Sequence, residues 1–508
     1  MKTPTRHAEK VDILLLLEGT YPYVQGGVSS WISQIIQAYP DYDFGIIFLG
    51  SRPEDYDKVH YTFPDNLKHF EAHYLFSGHP LPPIQPQVGN KAGFKCVEHI
   101  HEWFRAPNST PYEKRIEDLE FFLDPEHGVD YNQFLYSKLS WEQITTNYEE
   151  RCTDPSFIHY FWAIRNMHAP IWVLADIAKN APEAGAYHSA STGYAGFLGA
   201  LLHNQFKRPL ILSEHGIYSK ERKIDLLQTH VLRDETNELL QSNFDIDYIQ
   251  NVWITFFNAL GQFCYRAANP IVSLFQTARK RQIIDGADPA RTKTIANGVN
   301  IPLFKAGRRP IDTPPPPVIA LIGRVVPIKD IKTFIRAVRI IENHIPSLKA
   351  WIVGPTEEDP SYFEECKNLV SSLNLNERIE FLGIQKTPEI LSKIGICVLS
   401  SISEGLPLVI LEAYAAGIPC VATDVGACRE LVIGDTADDQ AIGPSGRVVS
   451  IANPKAIADA SIELLQPEHW HRASKAAITR VERYYSQQTM FSHYSKIYEE
   501  ALHGGDRV

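Results

Sequence analysis

Along the second half of the chain, short blocks of wholly apolar residues alternate with stretches in which apolar positions return every three or four residues. VIALIG, AWIVG, IEFLG, ICVLS and PCVATD belong to the first kind, the pattern of strands buried on both faces. IKTFIRAVRII, YFEECKNLVSSL, an ILSKI segment and PLVILEAYAAG separate them. In the first of these, Ile331, Phe334, Ile335, Val338 and Ile341 fall near helical spacing and define one apolar stripe. A βαβα series of this kind predicts a parallel sheet covered by helices.

The first half opens on the same rhythm, with VDILLLL as a buried strand, EGTYPYVQGG as a loop and VSSWISQII as a helix. Further on, AGAYHSAS and KRPLILSEHG place polar residues just after predicted strands, where open α/β sheets carry ligand-binding groups. From about Gly50 to Glu183 the pattern is irregular and reads as an insertion. Pro314 to Pro317 cannot continue a helix or a central strand, so residues 310–317 read as an interdomain linker. The expected fold is therefore α/β, with a Rossmann-like N-terminal domain over 1–309 and a second over 318–472. A helical tail over 473–508 is expected to return to the first domain.

Length and composition narrow this picture. The 508 residues exceed what one α/β domain usually holds, and 44% hydrophobic with 21% charged residues is ordinary globular composition. The apolar run Val11 to Leu17 is too short for a signal core or a membrane span, so a cytoplasmic protein is expected. Seven scattered cysteines without a CxxC pair fit reduced thiols rather than a disulfide framework or a zinc site. A formal charge of −11 gives no general attraction to nucleic acid or anionic lipid, so any phosphate site must be built locally.

The densest chemistry lies in SISEGLPLVILEAYAAGIPCVATDVG. A strand ending near Ser400 or Ser401 and a helix beginning near Pro407 put Glu404 in the loop between them and Glu412 inside the helix. Glu404 is then placed for the hydroxyls of a sugar, and Glu412 for a ribose diol. Upstream, LIGRVVPIKD sets Arg324 and Lys329 after one strand and before a helix, where two cations and free helix N–H groups converge on an anion.

Glu404, Glu412, Ala413, Gly417 and Pro419 together resemble the E-x7-E and A-x-x-x-G-x-P signature of the retaining glycosyltransferases of family 4. Gly323, Arg324, Lys329 and Asp330 resemble the same family's G-R-x-x-x-x-K-[GD] diphosphate motif. NGVN at 297–300, IVGP at 352–355 and RIEFLG at 378–383 extend the likeness. The resemblance implies a GT-B fold, two Rossmann-like domains with parallel sheets facing across a cleft. It also implies transfer of a sugar from a nucleoside diphosphate donor with retention, catalysed through Glu404, Arg324 and Lys329 with no cofactor and no metal. It places backbone at Phe381 and Gly383 near the base, and Gly405, Leu406, Pro407 and Leu408 around the sugar diphosphate.

In the N-terminal half, Gly26 and Gly27 precede a helix and allow backbone N–H groups to approach phosphate. The resemblance makes His188 a catalytic candidate, although the family's H-x-H reads His-Ser-Ala here. His215, Tyr218, Glu221 and Arg222 are candidates for acceptor or phosphate contact. LLLEGTYPYVQGGVSSW and LSEHGIYSKER resemble the cytoplasmic glycosyltransferases of Pel-type exopolysaccharide systems. That likeness implies a UDP-sugar donor, UDP-glucose or a UDP-N-acetylhexosamine, and a polysaccharide acceptor. It further implies work beside inner-membrane synthase and export proteins.

Other readings are weaker. A glycosidase would need Glu404 and Glu412 to flank one bond, which their loop and helix positions do not favour. A metal-dependent transferase would rest on the isolated Asp245-Ile246-Asp247. A dinucleotide oxidoreductase would need a strand–GxGxxG–helix unit, and none occurs. A noncatalytic UDP-sugar-binding scaffold subunit is the reading from a different class.

Overall fold

The computed structural model describes residues 6–56, 58–76, 87–105, 112–124, 128–154, 156–218, 248–310 and 313–504. The chain divides into two compact units. The first takes in the residues up to Val272, Lys280–Lys293 and the chain from Ile497 on; the second takes in Ser273–Arg279 and Thr294–Lys496. Each unit is built on its own sheet with helices on its faces, and the architecture is mixed α/β with Rossmann-like parallel sheets.

Among the described residues the first sheet has seven strands: β1 (Lys10–Glu18), β2 (Phe44–Gly50), β3 (Leu67–Tyr74), β4 (Glu183–Ser189), β5 (Leu210–Glu214), β6 (Ile271–Ser273) and β7 (Thr292–Thr294). They lie in the order β3-β2-β1-β4-β5-β6-β7, and β3, β2, β1, β4 and β5 pair in parallel. Ile13 through Leu17 are fully buried, as the VDILLLL run requires of a central strand. The helix Gly27–Ala38 follows and buries Trp31, Ile32, Ile35 and Ile36.

The irregular stretch resolves differently from expectation. β3 lies within 50–183 and is an ordinary strand of the sheet, so the elaboration begins only after it. Its charged and aromatic composition, LKHFEAHY, hid a sheet-edge strand. Between β3 and β4 the chain then forms helices, including Lys91–Arg105, Lys138–Arg151 and Phe157–Asn180. Arg165, on the last of these, is buried and donates to the carbonyls of Phe134 and, at 2.7 Å, Leu135.

The second sheet comprises β8 (Val318–Ile322), β9 (Lys349–Val353), β10 (Ile379–Gly383), β11 (Ile396–Leu399), β12 (Cys420–Thr423) and β13 (Gly446–Val449). Their order is β10-β9-β8-β11-β12-β13, parallel throughout. The helix after β8, Ile331–Glu342, buries all five residues of the predicted stripe. Burying each such side chain stabilises the fold by roughly 1.5–3 kcal/mol. Asp330 starts that helix at φ 44°, and its carboxylate accepts the Thr333 N–H at 3.3 Å.

The proline run is not the division between the units. Residues from Thr294 already belong to the second unit, where Val299 and Phe304 join its core and Val299 N–H donates to Tyr485 O at 2.8 Å. Of the tail expected over 473–508 to return to the first domain, only the chain from Ile497 on belongs to the first unit; the helix Pro467–Tyr484 packs Trp470, Ala473, Ala477 and Val481 into the core of the second. Its Arg480 is fully buried: Nε lies 2.6 Å from Asp439 Oδ1, and the Nη groups reach Val432 O, Ser445 Oγ and Gly443 O.

Candidate functional site

In the second unit strand order reverses between β8 and β11. The loops leaving their C-terminal ends therefore part there, which is where open α/β sheets bind ligands. Lys329 comes from the loop after β8 and Glu404 from the loop after β11. Lys329 Nζ lies 2.5 Å from Glu404 Oε1, and Ser401 Oγ donates to the same oxygen at 2.5 Å. Both donors use Oε1, so Oε2 takes no hydrogen bond from the described residues and stays available to a ligand hydroxyl. Ser400, fully buried, ties the two loops by donating to Lys329 O and Asp330 O at 2.8 and 3.1 Å. Ile402 N–H to Ile328 O at 2.9 Å completes the tie.

Arg324 leaves the same loop as Lys329 but is exposed, its Nη1 held by Glu358 Oε1 and Oε2 at 2.6 and 2.8 Å. An exposed pair of this kind is worth only about 0–1 kcal/mol, so the guanidinium can exchange Glu358 for a stronger anion at little cost. Gly323, Gly354 and Gly383 mark the ends of β8, β9 and β10. Gly354 N–H donates to Gly383 O at 2.9 Å, and Gly383 sits at φ 60° with open space where a Cβ would be. Phe381 is half-buried, its ring 5.2 Å from that of Phe363.

Leu406 and Pro407 are buried and serve as core and turn, so only the backbone of this segment can meet a ligand. Gly405 O accepts the Ala427 N–H at 2.9 Å. The helix Leu408–Ala415 begins directly after Pro407, leaving the N–H groups of Leu408 and Val409 without intrahelical acceptors, while Ile410 N–H donates to Pro407 O at 3.1 Å. At its other end Gly417 (φ 76°) closes a Schellman turn: Ile418 N–H donates to Ala413 O and Gly417 N–H to Tyr414 O.

Glu412 is half-buried on this helix, and burial pushes its carboxyl up to about 7. A raised pKa means that the fold favours the neutral form. Stability is then undiminished below the unfolded value of 4.5 and falls as pH rises from there to about 7. Glu412→Gln should melt like the parent protein at about pH 4 and at a higher temperature at about pH 8. Equal melting temperatures at both would contradict the assignment.

The first unit has its own pocket of 740 Å³ at the C-terminal ends of β1, β2, β4 and β5, lined in part by Glu18, Tyr56, Ser191, Tyr194, His215 and Tyr218. Glu18 Oε1 accepts the Tyr218 hydroxyl at 2.6 Å. Behind it Glu214, wholly buried, accepts from Thr192, Tyr265, Gln282 and the Tyr218 N–H, which fixes the His215–Tyr218 turn. Glu18, Glu214 and Ser400 escaped the sequence reading; their one signal was a polar residue closing an apolar run.

The two histidines differ in placement. His188 does not face the pocket: it is 1% exposed, with Nδ1 2.9 Å from Tyr498 OH and Nε2 2.8 Å from Ser213 Oγ. Both ring nitrogens are thus engaged in the core, and burial pushes its pKa down to about 3. In this structure His188 thus serves the core of the first unit rather than lining its pocket. His215 lines the pocket and packs on Trp31 with ring centroids 4.5 Å apart. Its Nε2 has no hydrogen-bond partner among the described residues, and burial lowers its pKa to about 3, so it is neutral near pH 7. Gly26 and Gly27 are exposed at the start of the helix Gly27–Ala38. Gly26 is extended, so its glycine serves access rather than an unusual backbone angle. Glu221, Arg222, Asp245 and Asp247 lie outside the described residues.

The family described as "Domain of unknown function (DUF3492)" matches residues 11–290, more than half of the chain. The chain belongs to that family. The second unit of this DUF3492 protein matches "Glycosyl transferases group 1" over residues 316–467, which places the protein in the group 1 glycosyltransferase superfamily. It is 33% identical over 137 residues to the N-acetyl-alpha-D-glucosaminyl L-malate synthase of Bacillus anthracis, covering 26% of this chain and 34% of that protein. It is 26% identical over 231 residues to the D-inositol 3-phosphate glycosyltransferase of Corynebacterium glutamicum, covering 42% and 53%. The DUF3492 protein thus spans between about a third and half of these curated relatives.

Among solved structures, Anabaena HepE in complex with UDP and glucose superposes with a TM-score of 0.55 at 15% identity, over 96% of this chain and 99% of that one. The sucrose-phosphate synthase of Thermosynechococcus elongatus gives 0.55 at 17%, over 97% and 100%. The fold is therefore that of the GT-B glycosyltransferases. Among the described residues no helix is long and apolar enough to cross a membrane.

Proposed function

We propose that this protein is a retaining glycosyltransferase that moves a hexose, glucose from UDP-glucose, to a growing exopolysaccharide. The observation that carries the reading is the Lys329–Glu404 pair, fixed where strand order reverses and beside the open start of the helix Leu408–Ala415. Sugar transfer from a nucleoside diphosphate must stabilise negative charge growing on the β-phosphate as the glycosidic bond breaks. Lys329 has three donors, so it can hold Glu404 and still reach a phosphate oxygen. Arg324 and the first-turn N–H groups supply further positive potential, all from protein groups, so the reading calls for no metal. Glu404 Oε2 receives a sugar hydroxyl and Glu412 the ribose diol.

The choice of donor is supported by the UDP-glucose complex of HepE, which shares the fold. Group 1 relatives that act on other sugars and acceptors leave the acceptor to the first unit. There the 740 Å³ pocket, with its tyrosines and Glu18, suits a carbohydrate chain. The stretches LLLEGTYPYVQGGVSSW and LSEHGIYSKER support a Pel-type polymer and work alongside membrane-embedded synthase and export proteins.

Calorimetric titration with UDP, UDP-glucose, UDP-N-acetylglucosamine and UDP-N-acetylgalactosamine tests the donor site, with the Arg324→Ala/Lys329→Ala double variant as control. Selective UDP binding lost in the control is expected; no binding by any UDP compound would overturn the reading. Binding should also tighten as pH rises from about 6 to about 8, because the diol prefers the ionised Glu412 carboxylate and expels its proton.

Gly426 provides a second handle. It sits at φ 52°, and a Cβ there would lie 2.3 Å from the carbonyl oxygens of both Glu404 and Gly405. Strain of this kind costs on the order of 1–3 kcal/mol. Gly426→Ala should therefore displace the Glu404 loop and weaken UDP-sugar binding by about tenfold or more. Unchanged affinity would show that the loop position is not set there.

A further inference from the structure

At the outer edge of the first sheet, His69, Glu71 and His73 of β3 alternate on one face of the strand. His69 Nε2 lies 2.8 Å from Glu71 Oε1, and His73 Nε2 lies 2.8 Å from Glu71 Oε2. A second segment brings in another imidazole. Residues 6–8 run antiparallel beside β3, with Arg6 bridged to Phe70 and Phe70 N–H donating to Arg6 O at 2.9 Å. The Arg6 guanidinium is used up on the carbonyls of Pro64 and Leu67, at 2.6 and 2.5 Å. That pairing sets the His7 ring 5.8 Å from the His69 ring. Ligand atoms of His7, His69 and Glu71 all fall within 4.8 Å of one another.

His69 is 3% exposed; its Nδ1 accepts the Ala8 N–H, so Nε2 carries the ring proton and directs it at Glu71 Oε1. A buried imidazole nitrogen, a carboxylate and a second imidazole converging from two segments is what a coordination site presents, the ion taking the place of the proton between His69 and Glu71. We propose that His7, His69 and Glu71 bind a divalent transition-metal ion of the zinc class, with His73 holding the second carboxylate oxygen. Two imidazoles and a carboxylate suit zinc, nickel or copper rather than magnesium or calcium, which take oxygen ligands. The ion joins residues 6–8 to the edge strand and covers backbone that would otherwise invite pairing with another chain.

Coordination through Nε2 moves the ring proton of His69 to Nδ1. It displaces the Ala8 N–H contact to that nitrogen, which at 3.3 Å is long for such a bond.

The test uses the full chain, stripped with a chelator and titrated with zinc chloride in a calorimeter, with thermal melting in parallel. One equivalent of zinc and a raised melting temperature are expected, with magnesium giving neither. His7→Ala, a change at an exposed residue, and Glu71→Gln should each weaken zinc binding at least tenfold, whereas His159→Ala, at an exposed histidine of the helical region, should not. Cobalt(II) should give the strong visible bands of a low-coordinate site in the parent protein and lose them in His7→Ala. Absence of saturable zinc binding, or binding unchanged by His7→Ala, would overturn the proposal.

Discussion

Lys329→Ala lowers the rate of sugar transfer by roughly a hundred- to a thousandfold, the scale seen when one preorganised charge-stabilising donor is removed. The larger share falls on kcat, because the ammonium matters most when charge has built up on the departing diphosphate. Its loss also leaves Glu404 Oε1 with Ser401 as its only donor among the described residues, loosening the carboxylate that orients the sugar. Lys329→Arg should not restore the rate, since a planar guanidinium cannot occupy the 2.5 Å approach to Glu404 and keep a donor for phosphate in the same place. Steady-state release of UDP over a range of donor concentrations measures both constants. A Lys329→Ala protein with unaltered kcat would remove this residue from the chemistry.

Arg480→Met has the largest expected effect on stability, about 3–5 kcal/mol, because it leaves Asp439 ionised, 4% exposed and without its partner. The same change strips donors from Val432 O, Ser445 Oγ and Gly443 O, which anchor the segment before β13 to the helix Pro467–Tyr484. Arg480→Met/Asp439→Leu should recover much of the loss, since an apolar pair of similar volume carries no unpaired charge. Urea unfolding of the three proteins, followed by tryptophan fluorescence, separates these outcomes. A single variant as stable as the parent would mean that water reaches the cavity.

Much of the second unit was readable from spacing. Wholly apolar runs became its strands, the 331–341 stripe became the buried face of its first helix, and the Pro407 and Gly417 punctuation fell at the ends of the helix between them. Glu404 and Lys329 were both identified, but not that they pair with one another, because sequence spacing does not show which way a loop folds back. The first unit was less legible for a physical reason. Edge strands carry polar residues to discourage pairing, so β3 looked like loop. A histidine at the end of a strand likewise looks the same whether it meets ligand or core. Only the bonds to Tyr498 and Ser213 separate His188 from His215, and Tyr498 lies 310 positions away in the chain. The division between units was misplaced because prolines mark where helices and strands stop, not where cores separate.

The His188–Tyr498 bond also carries a consequence for biosynthesis. The first unit draws on residues beyond Ile497, so it cannot be completed while the ribosome is still making the second. At about 5–20 residues per second, the imidazole waits in a half-made core for on the order of tens of seconds. Exchange of modules between members of this superfamily meets the same obstacle. A first unit joined to a foreign donor module at the proline run would arrive without Tyr498, and must bring its own closing helix with it.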